Sequence, residues 1–345
     1  MHVPEKAGTG CEQVGGDPTV KGTESRQMRI LMFGRGVIAT QYGWAFEKAG
    51  HDVDFYVRPG RAADFGPTVD LEIEDGRAGR LGLRGRRVEE RWPITMREDL
   101  TADHDYDLIV LSVNSNQLPG ALEFLASRLG EATLLVFNNV WDDPAEVVAG
   151  LPAERIVWGF PGAGGGYFGT TLRGGLLKTV FLGLVDREAP SARDKQVHDL
   201  FAHAGFSVME IADFRSWLWF HYILDAGLTV GMRMAGGFSA FRRSPGAGAI
   251  AARLMREMVD VLVAKGGTPG PGATAVRRLP PGVFGFGLRK LLSEATIFGA
   301  VSAHTFASGH GSYEMTSAYA RDVLADARRL GVSVPQLEAL EPVFK

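Results

Sequence analysis

One short stretch constrains what this chain can fold into more than any other. Ile30-Leu31-Met32-Phe33-Gly34-Arg35-Gly36-Val37-Ile38-Ala39 is an apolar run ending in Gly-x-Gly-x-x-Ala, and a helix-compatible segment follows from Thr40 to Ala49. Gly34 permits a tight strand-to-helix turn, Gly36 lets backbone come close to a pyrophosphate, and Ala39 keeps the helix near the strand. The helix N-terminus adds N–H donors and the positive end of its dipole. A lone Gly-x-Gly is weak evidence. Here a strand (Met28 to Phe33) precedes it and a second strand, Val53 to Val57, comes after Gly50, so the stretch predicts a dinucleotide-binding Rossmann unit. Gly34, Gly36, Val37, Ile38 and Ala39 are its expected cofactor contacts.

The end of the second strand bears on which dinucleotide. Folds that bind NAD usually place Asp or Glu roughly 20 residues beyond the glycines, to accept from the ribose hydroxyls. This strand ends Tyr56-Val57-Arg58-Pro59-Gly60-Arg61, and Asp54 lies inside it, badly placed for a ribose. An arginine at the tip suits a 2′-phosphate, because its planar fork meets phosphate oxygens bidentately. Arg58 therefore favours NADP(H) over NAD(H). The plainer alternative is that Arg58 and Arg61 are solvated loop charges.

At 345 residues the chain can bury a sizeable core and is long enough for two domains. Its formal net charge is −3 with both signs interspersed, which argues against a nucleic-acid partner. The basic stretch Arg77 to Arg91 is interrupted by Glu89 and Glu90 and is expected to be a solvated hairpin-like excursion. A single cysteine, Cys11, cannot form an internal disulfide, which fits a reducing, cytoplasmic setting. No apolar run approaches the roughly 18 residues of a membrane span. Residues 1–27 are polar and glycine-bearing and are expected to be a disordered extension.

The continuous apolar run around Leu108 to Val113 has the texture of a buried parallel strand. A helix-compatible stretch (Leu118 to Leu129), a strand (Ala132 to Phe137), a short helix (Ala145 to Ala149) and a strand (Arg155 to Phe160) follow. Such alternation is the signature of a doubly wound sheet. Gly162 to Gly166 is expected either to pass backbone close to a nicotinamide or substrate, or to be a plain flexible loop. Leu177 to Leu184 and Phe206 to Ile211 are further strands. Beyond them Phe214 to Leu228, Gly246 to Lys265, Phe286 to Thr305 and Ser312 to Leu330 suit helices, separated by Gly and Pro at 266–271 and 279–282. The expected fold is α/β. A Rossmann-type doubly wound domain spans 28–212, and an all-helical domain for substrate and dimerisation spans 213–345, with a cleft between them.

At this point the chain resembles the ketopantoate reductase family, two-domain NADP-dependent 2-oxo acid reductases, from about Met28 to Phe344. Gly34-Arg35-Gly36-Val37-Ile38-Ala39 matches the family's opening motif, and Arg58 falls where its phosphate-reading arginine is expected. Leu134-Leu135-Val136-Phe137-Asn138-Asn139 is similar to a strand ending in Asn-Gly, which implies that Asn138 sits beside nicotinamide and substrate. The family's helix pattern Leu-Trp-x-Lys-x-x-x-Asn, whose lysine is the general acid, corresponds to Leu218-Trp219-Phe220-His221-Tyr222-Ile223-Leu224-Asp225. His221 thus stands at the lysine and Asp225 at the asparagine. The resemblance also places Ser302 and Glu314 on the substrate, at the family's spacing. After Glu314 the usual Ile-Asp-x-x-Asn-Gly becomes Met315-Thr316-Ser317-Ala318-Tyr319-Ala320.

Residues four apart on a helix share a face, so His221 and Asp225 are expected to point together into one cleft. A neighbouring carboxylate favours the protonated imidazole, and on that ground Asp225 is expected to raise the pKa of His221 enough for it to act as general acid. Replacing Lys and Asn with His and Asp makes the pocket less cationic by roughly one to two charges. That disfavours a small carboxylate substrate and favours a neutral or larger ketone, an aldehyde or an imine. The bland alternative is a hydrogen-bonded interior histidine with Asp225 satisfying it. Glu314 has the alternative of a helix cap near Ser312, and Ser302 that of a small residue permitting close packing. His221, His304 and His310 lack a firm metal-ligand spacing, so no metal is expected. The reading is an NADPH-dependent reductase of a small-molecule carbonyl compound (2-oxo acid, ketone or aldehyde), with ketopantoate itself, reduced with His221 in place of lysine, as the closest rival and a homodimer expected from the helical domain. The alternatives are a non-catalytic NADP(H)-binding protein and an enzyme using His221 and Asp225 for a non-redox acid–base step.

Overall fold

The computed structural model describes residues 26–79, 85–309 and 313–345, with side chains in the last stretch from residue 316 onward. The expectation of a disordered extension falls, but for Arg26 and Gln27, outside the described residues. Strand β1 (Arg29–Phe33) leads through the glycine turn into helix α1 (Val37–Lys48), and β2 (Asp52–Tyr56) pairs with β1 in parallel, Leu31 beside Asp54. Helix α2 (Arg61–Phe65) and the hairpin of β3 (Thr68–Asp75) and β4 (Arg86–Pro93) follow, and β5 (Thr95–Arg97) returns to lie parallel to β2. The parallel sheet continues with β6 (Leu108–Leu111), α3 (Leu118–Ala126), β7 (Thr133–Val136), α4 (Pro144–Val147) and β8 (Ile156–Phe160). A second hairpin, β9 (Ala163–Phe168) and β10 (Thr171–Leu176), precedes β11 (Thr179–Gly183), which re-enters antiparallel to β8. After α5 (Ala192–His203), β12 (Ser207–Ile211) closes that edge in parallel with β11. The eight strands run β12-β11-β8-β7-β6-β1-β2-β5.

The apolar runs explain the layering. β6 and β7 are buried at every position, as strands covered on both faces must be. Because side chains alternate along a strand, each run feeds two cores. Ile30, Met32, Val110 and Leu135 pack on one face, and Leu31, Phe33, Ile109, Leu111, Leu134 and Val136 on the other.

Two expectations are corrected here. Residues 163–166 of the glycine run are not a plain flexible loop but belong to β9, in a second sheet ordered β4-β3-β10-β9. Backbone packing is what demands glycine there: a Cβ on Gly164 would stand 2.7 Å from Val301 Cγ1, on a helix lying across the strand. The basic stretch does contain a hairpin, but not a merely solvated one. Val69, Leu71 and Ile73 alternate with polar residues along β3, and their buried face packs with Val88 and Trp92.

From Phe214 onward the described residues contain helices and no strand: α6 (Phe214–Met234), α7 (Phe238–Arg243), α8 (Pro245–Ala264), α9 (Pro271–Arg278), α10 (Pro281–Leu291), α11 (Ile297–Ala307), α12 (Tyr313–Leu330), α13 (Pro335–Ala339) and α14 (Glu341–Phe344). The single helix expected over 286–305 is in fact the end of α10 and most of α11. Thr296 breaks it, its hydroxyl accepting from Gly299 N–H at 2.9 Å as an N-cap. Helix α9 arises between the two stretches of Gly and Pro punctuation, Pro271 serving as a first-turn residue. Helix α6 starts on its own cap, Asp213 accepting from Ser216 N–H at 3.0 Å. Trp219, Ile223, Ala226 and Val230, three or four residues apart, bury one face of α6 with Met255, Met258 and Val259 of α8.

Candidate active site

The glycine turn has the geometry its residues suggest. Gly34 has φ +97°, a left-handed conformation that side chains resist, and its N–H donates to the Tyr56 carbonyl at 2.9 Å, holding the turn against the end of β2. Gly36 caps α1 without any side-chain hydrogen bond, and the first turn carries no acidic residue. A Cβ on Gly36 would meet nothing within 4 Å. The opening of α1 therefore presents free N–H groups and space. Val37 and Ala39 are buried against the sheet, and Ile38 is half-buried.

Buried polar atoms without partners gather at the carboxyl ends of three adjacent strands. Arg35 Nε follows β1, Ser112 Oγ follows β6, and Asn138 Oδ1 follows β7. Such atoms are costly unless something pairs with them. In an open α/β sheet, ligands bind where these strand ends converge. A nicotinamide dinucleotide fits these residues: anionic oxygens at the α1 opening and polar groups at the orphaned atoms. Asn138 is fixed for such a role, its amide donating to the Val113 carbonyl at 2.6 Å.

Arg58 is exposed just past β2. Arg35 lies between two rings, 4.8 Å from the centre of Phe65 and 5.0 Å from that of Tyr167. Asp54 is engaged elsewhere, accepting from Tyr106 Oη at 2.7 Å and Arg97 Nε at 3.1 Å.

His221 and Asp225 do share one face of α6. His221 Nε2 stands 3.9 Å from Asp225 Oδ2, close enough for a charge contact but beyond a hydrogen bond. The imidazole is packed between Phe160, at 4.1 Å between ring centres, and Trp217, stacked at 5.2 Å. Asp225 Oδ2 accepts from Asn139 Nδ2 at 2.9 Å, a bond that ties α6 to the end of β7. Asn138 and the His–Asp pair are thereby brought to one place through Asn139.

The electrostatics correct one expectation. Burial lowers the pKa of His221 below its ordinary 6.5, with the pull of Asp225 only partly opposing. Desolvation between two aromatic rings outweighs a carboxylate that does not reach hydrogen-bonding distance. Asp225 is pushed up by the same burial, against smaller lowering effects of His221 and of the Asn139 bond. Both groups are thus biased toward their neutral forms.

Tyr319 of α12 is a site residue that no sequence signal picked out. Its phenol is pushed well above its ordinary value by burial first and then by the Asp225 charge, and its ring packs edge-on against Tyr222 at 4.6 Å. Ser302 lies on α11, where Thr305 Oγ1 accepts from Gly165 N–H at 2.9 Å. No hydrogen bond or ion pair among the described residues links Ser302 to His221 or Asp225. The Glu314 side chain lies outside the described residues, as do Cys11, Arg80, Arg84 and His310. His304 packs against Phe168, and no cluster of three or more His, Cys, Asp or Glu converges among the described residues. No helix among them is long and apolar enough to cross a membrane.

Comparison with known proteins agrees with this geometry. Residues 30–166 match the model of the family described as ketopantoate reductase PanE/ApbA. No curated protein matches the chain in sequence. Among solved structures, the chain is similar to a PanE/ApbA family ketopantoate reductase from Ralstonia eutropha JMP134, with 17% identity, 92% of this chain and 97% of that chain covered, and a TM-score of 0.67. It is also similar to a D-mandelate dehydrogenase in complex with NADH, with 14% identity, coverage of 92% and 97%, and a TM-score of 0.65. A probable 2-dehydropantoate 2-reductase from Bacillus subtilis aligns at 17% identity, with coverage of 92% and 99% and a TM-score of 0.62. At these identities the likeness establishes the fold, a Rossmann-like sheet followed by a helical part. Residues 30–166 thus carry the match to the ketopantoate reductase family model, and the fold of that family's solved structures extends over 92% of the chain.

Proposed function

We propose that this protein is an NADP(H)-dependent oxidoreductase that interconverts a carbonyl compound and its alcohol, with His221 in the place of the family's lysine. One observation carries the reading: Asn139 of the dinucleotide-binding sheet and Asp225 of α6 are hydrogen-bonded at 2.9 Å, with His221 beside them and Asn138 adjacent in the chain. The titratable pair therefore stands at the strand ends that receive a dinucleotide in this fold. A bound nicotinamide supplies or accepts the hydride.

The chain's own residues handle the proton. In reduction His221 gives a proton at Nε2 to the oxygen that gains charge, and in oxidation the neutral ring takes it back. Asp225 favours the protonated ring, and Asn139 holds that carboxylate in place. Because the His221 pKa lies below 6.5, the resting ring at neutral pH is the base, the form suited to alcohol oxidation. Phe160 and Trp217 hold the ring in place.

The choice of NADP(H) rests on Arg58 at the tip of β2 and on Asp54 being committed to Arg97 and Tyr106. Arg58→Ala is expected to weaken NADPH binding by about tenfold to a hundredfold, as loss of a charge-assisted hydrogen bond does, and to leave NADH binding little changed. The test of the activity is oxidation of NADPH, followed by absorbance, with ketopantoate and with uncharged ketones and aldehydes. Turnover of any of these supports the reading. NADPH binding with no oxidation by any of them would favour a non-catalytic dinucleotide-binding role, and equal weakening of NADH by Arg58→Ala would remove the NADP(H) preference.

A further inference from the structure

The positions at which this chain departs from the family pattern are gathered in the fold. Asn139 stands at the glycine that follows the motif asparagine, His221 at the lysine, Asp225 at the helix asparagine, and Tyr319 at the asparagine of the last motif. They come from β7, α6 and α12, yet they meet around one carboxylate: Asn139 bonds it at 2.9 Å, His221 Nε2 faces it at 3.9 Å, and Tyr319 lies within reach of its charge.

Among the described residues no cation balances that carboxylate. The charged groups that act on Asp225 and His221 are each other, and no described lysine or arginine joins them. Two basic residues on α6 and just after α8 are occupied elsewhere. Arg233, farther along α6, donates to Thr316 and Ser317 of α12, and Lys265 is paired with Asp326 at 2.7 Å. On the same stretch of α6, Tyr222 donates its hydroxyl to a further carboxylate, Asp322. The rings of Phe160 and Trp217 supply the rest of the wall beside His221.

A carboxylate brought into such a site meets Asp225 beside the aromatic rings. Either the two negative charges repel, or one must take up a proton. Neither cost falls on a molecule without a carboxylate, and the aromatic wall favours it. We infer that the substrate carries no carboxylate beside its reacting carbonyl, and is an uncharged ketone or aldehyde held against Phe160 and Trp217 with Asp225 as the excluding charge. This deepens the reductase reading and rests on it for the location of the site.

The test separates binding from turnover. Mandelate and mandelamide share a ring and a hydroxyl and differ in charge, and neither can accept a hydride from NADPH. Their binding to the NADPH-loaded protein is followed by tryptophan fluorescence at pH 7.5, with calorimetry as a second readout. Wild type is expected to bind mandelamide about tenfold or more tighter than mandelate, because like charges juxtaposed in a binding site are strongly disfavoured. Asp225→Asn, whose amide oxygen can still accept from Asn139, is expected to shrink that ratio by about tenfold through recovered mandelate binding. Equal or tighter binding of mandelate by wild type, a ratio unchanged in Asp225→Asn, or binding of neither compound would each overturn the inference. The expected ratios in a protein that oxidises NADPH with no carbonyl compound would leave the exclusion of a carboxylate by Asp225 standing and remove the reductase reading.

Discussion

At the scale of residues, the decisive competition is between desolvation and charge. His221 and Asp225 are each drawn toward neutrality because burial costs more than a 3.9 Å contact returns. Asp225 makes a prediction for stability. In the unfolded chain its carboxyl loses the proton near its ordinary value of about 3.9, whereas in the folded chain the proton is held to higher pH. A group whose folded pKa is raised contributes stability at low pH and loses it as pH rises through the folded value. Asp225→Asn should therefore gain in Tm relative to wild type as pH goes from about 4 to about 7. A Tm difference that stays constant over that range would contradict the burial account of this group.

At the scale of elements, the glycine turn and the opening of α1 form one device, and its two glycines should behave differently. Gly36 has ordinary backbone angles, φ −76° and ψ 175°, and open space before it. Gly36→Val is expected to fold with a Tm close to wild type in the absence of nucleotide and to bind NADPH about tenfold or more weakly, a loss of about 1.4 kcal/mol or greater. Gly34, at φ +97°, should instead lose Tm on substitution by valine whether or not nucleotide is present, by an amount corresponding to about 1–3 kcal/mol of strain. Full NADPH affinity in Gly36→Val, measured by calorimetry, would contradict the placement of the pyrophosphate. The second sheet is the element whose existence the amino-acid order concealed. Strand β10 carries Gly174 and Gly175 and pairs in parallel with β3, from the far side of four strands of the main sheet. Local propensity argues against a strand there, and only the partner made earlier in the chain supplies the ladder and the packing face.

At the scale of the whole molecule, the site exists because two distant parts of the chain converge. The halves of that convergence were legible separately. The glycine turn follows from a strand, a tight turn and a helix in sequence, and the His221–Asp225 pair follows from helical periodicity. What joins them was not legible. The Asn139–Asp225 bond spans 86 residues of chain, and Tyr319 enters from α12 with no local pattern to mark it. The sign of the His221 shift was equally hidden, since it depends on Phe160, which reaches the ring from the end of β8. Local spacing could supply the carboxylate neighbour but not the amount of water removed.

The central claim is that His221 carries the proton of a hydride-transfer reaction at this junction. The most direct measurement is the pH dependence of NADPH oxidation, from about pH 5 to about pH 9, in wild type and in His221→Ala, with whichever carbonyl compound wild type turns over fastest. Reduction needs the protonated ring, so wild-type turnover should fall as pH rises past a value below 6.5. His221→Ala should lose about 10²–10⁴-fold in turnover together with that pH dependence, while NADPH affinity stays near wild type. Wild-type turnover and an unchanged pH profile in His221→Ala would contradict the account.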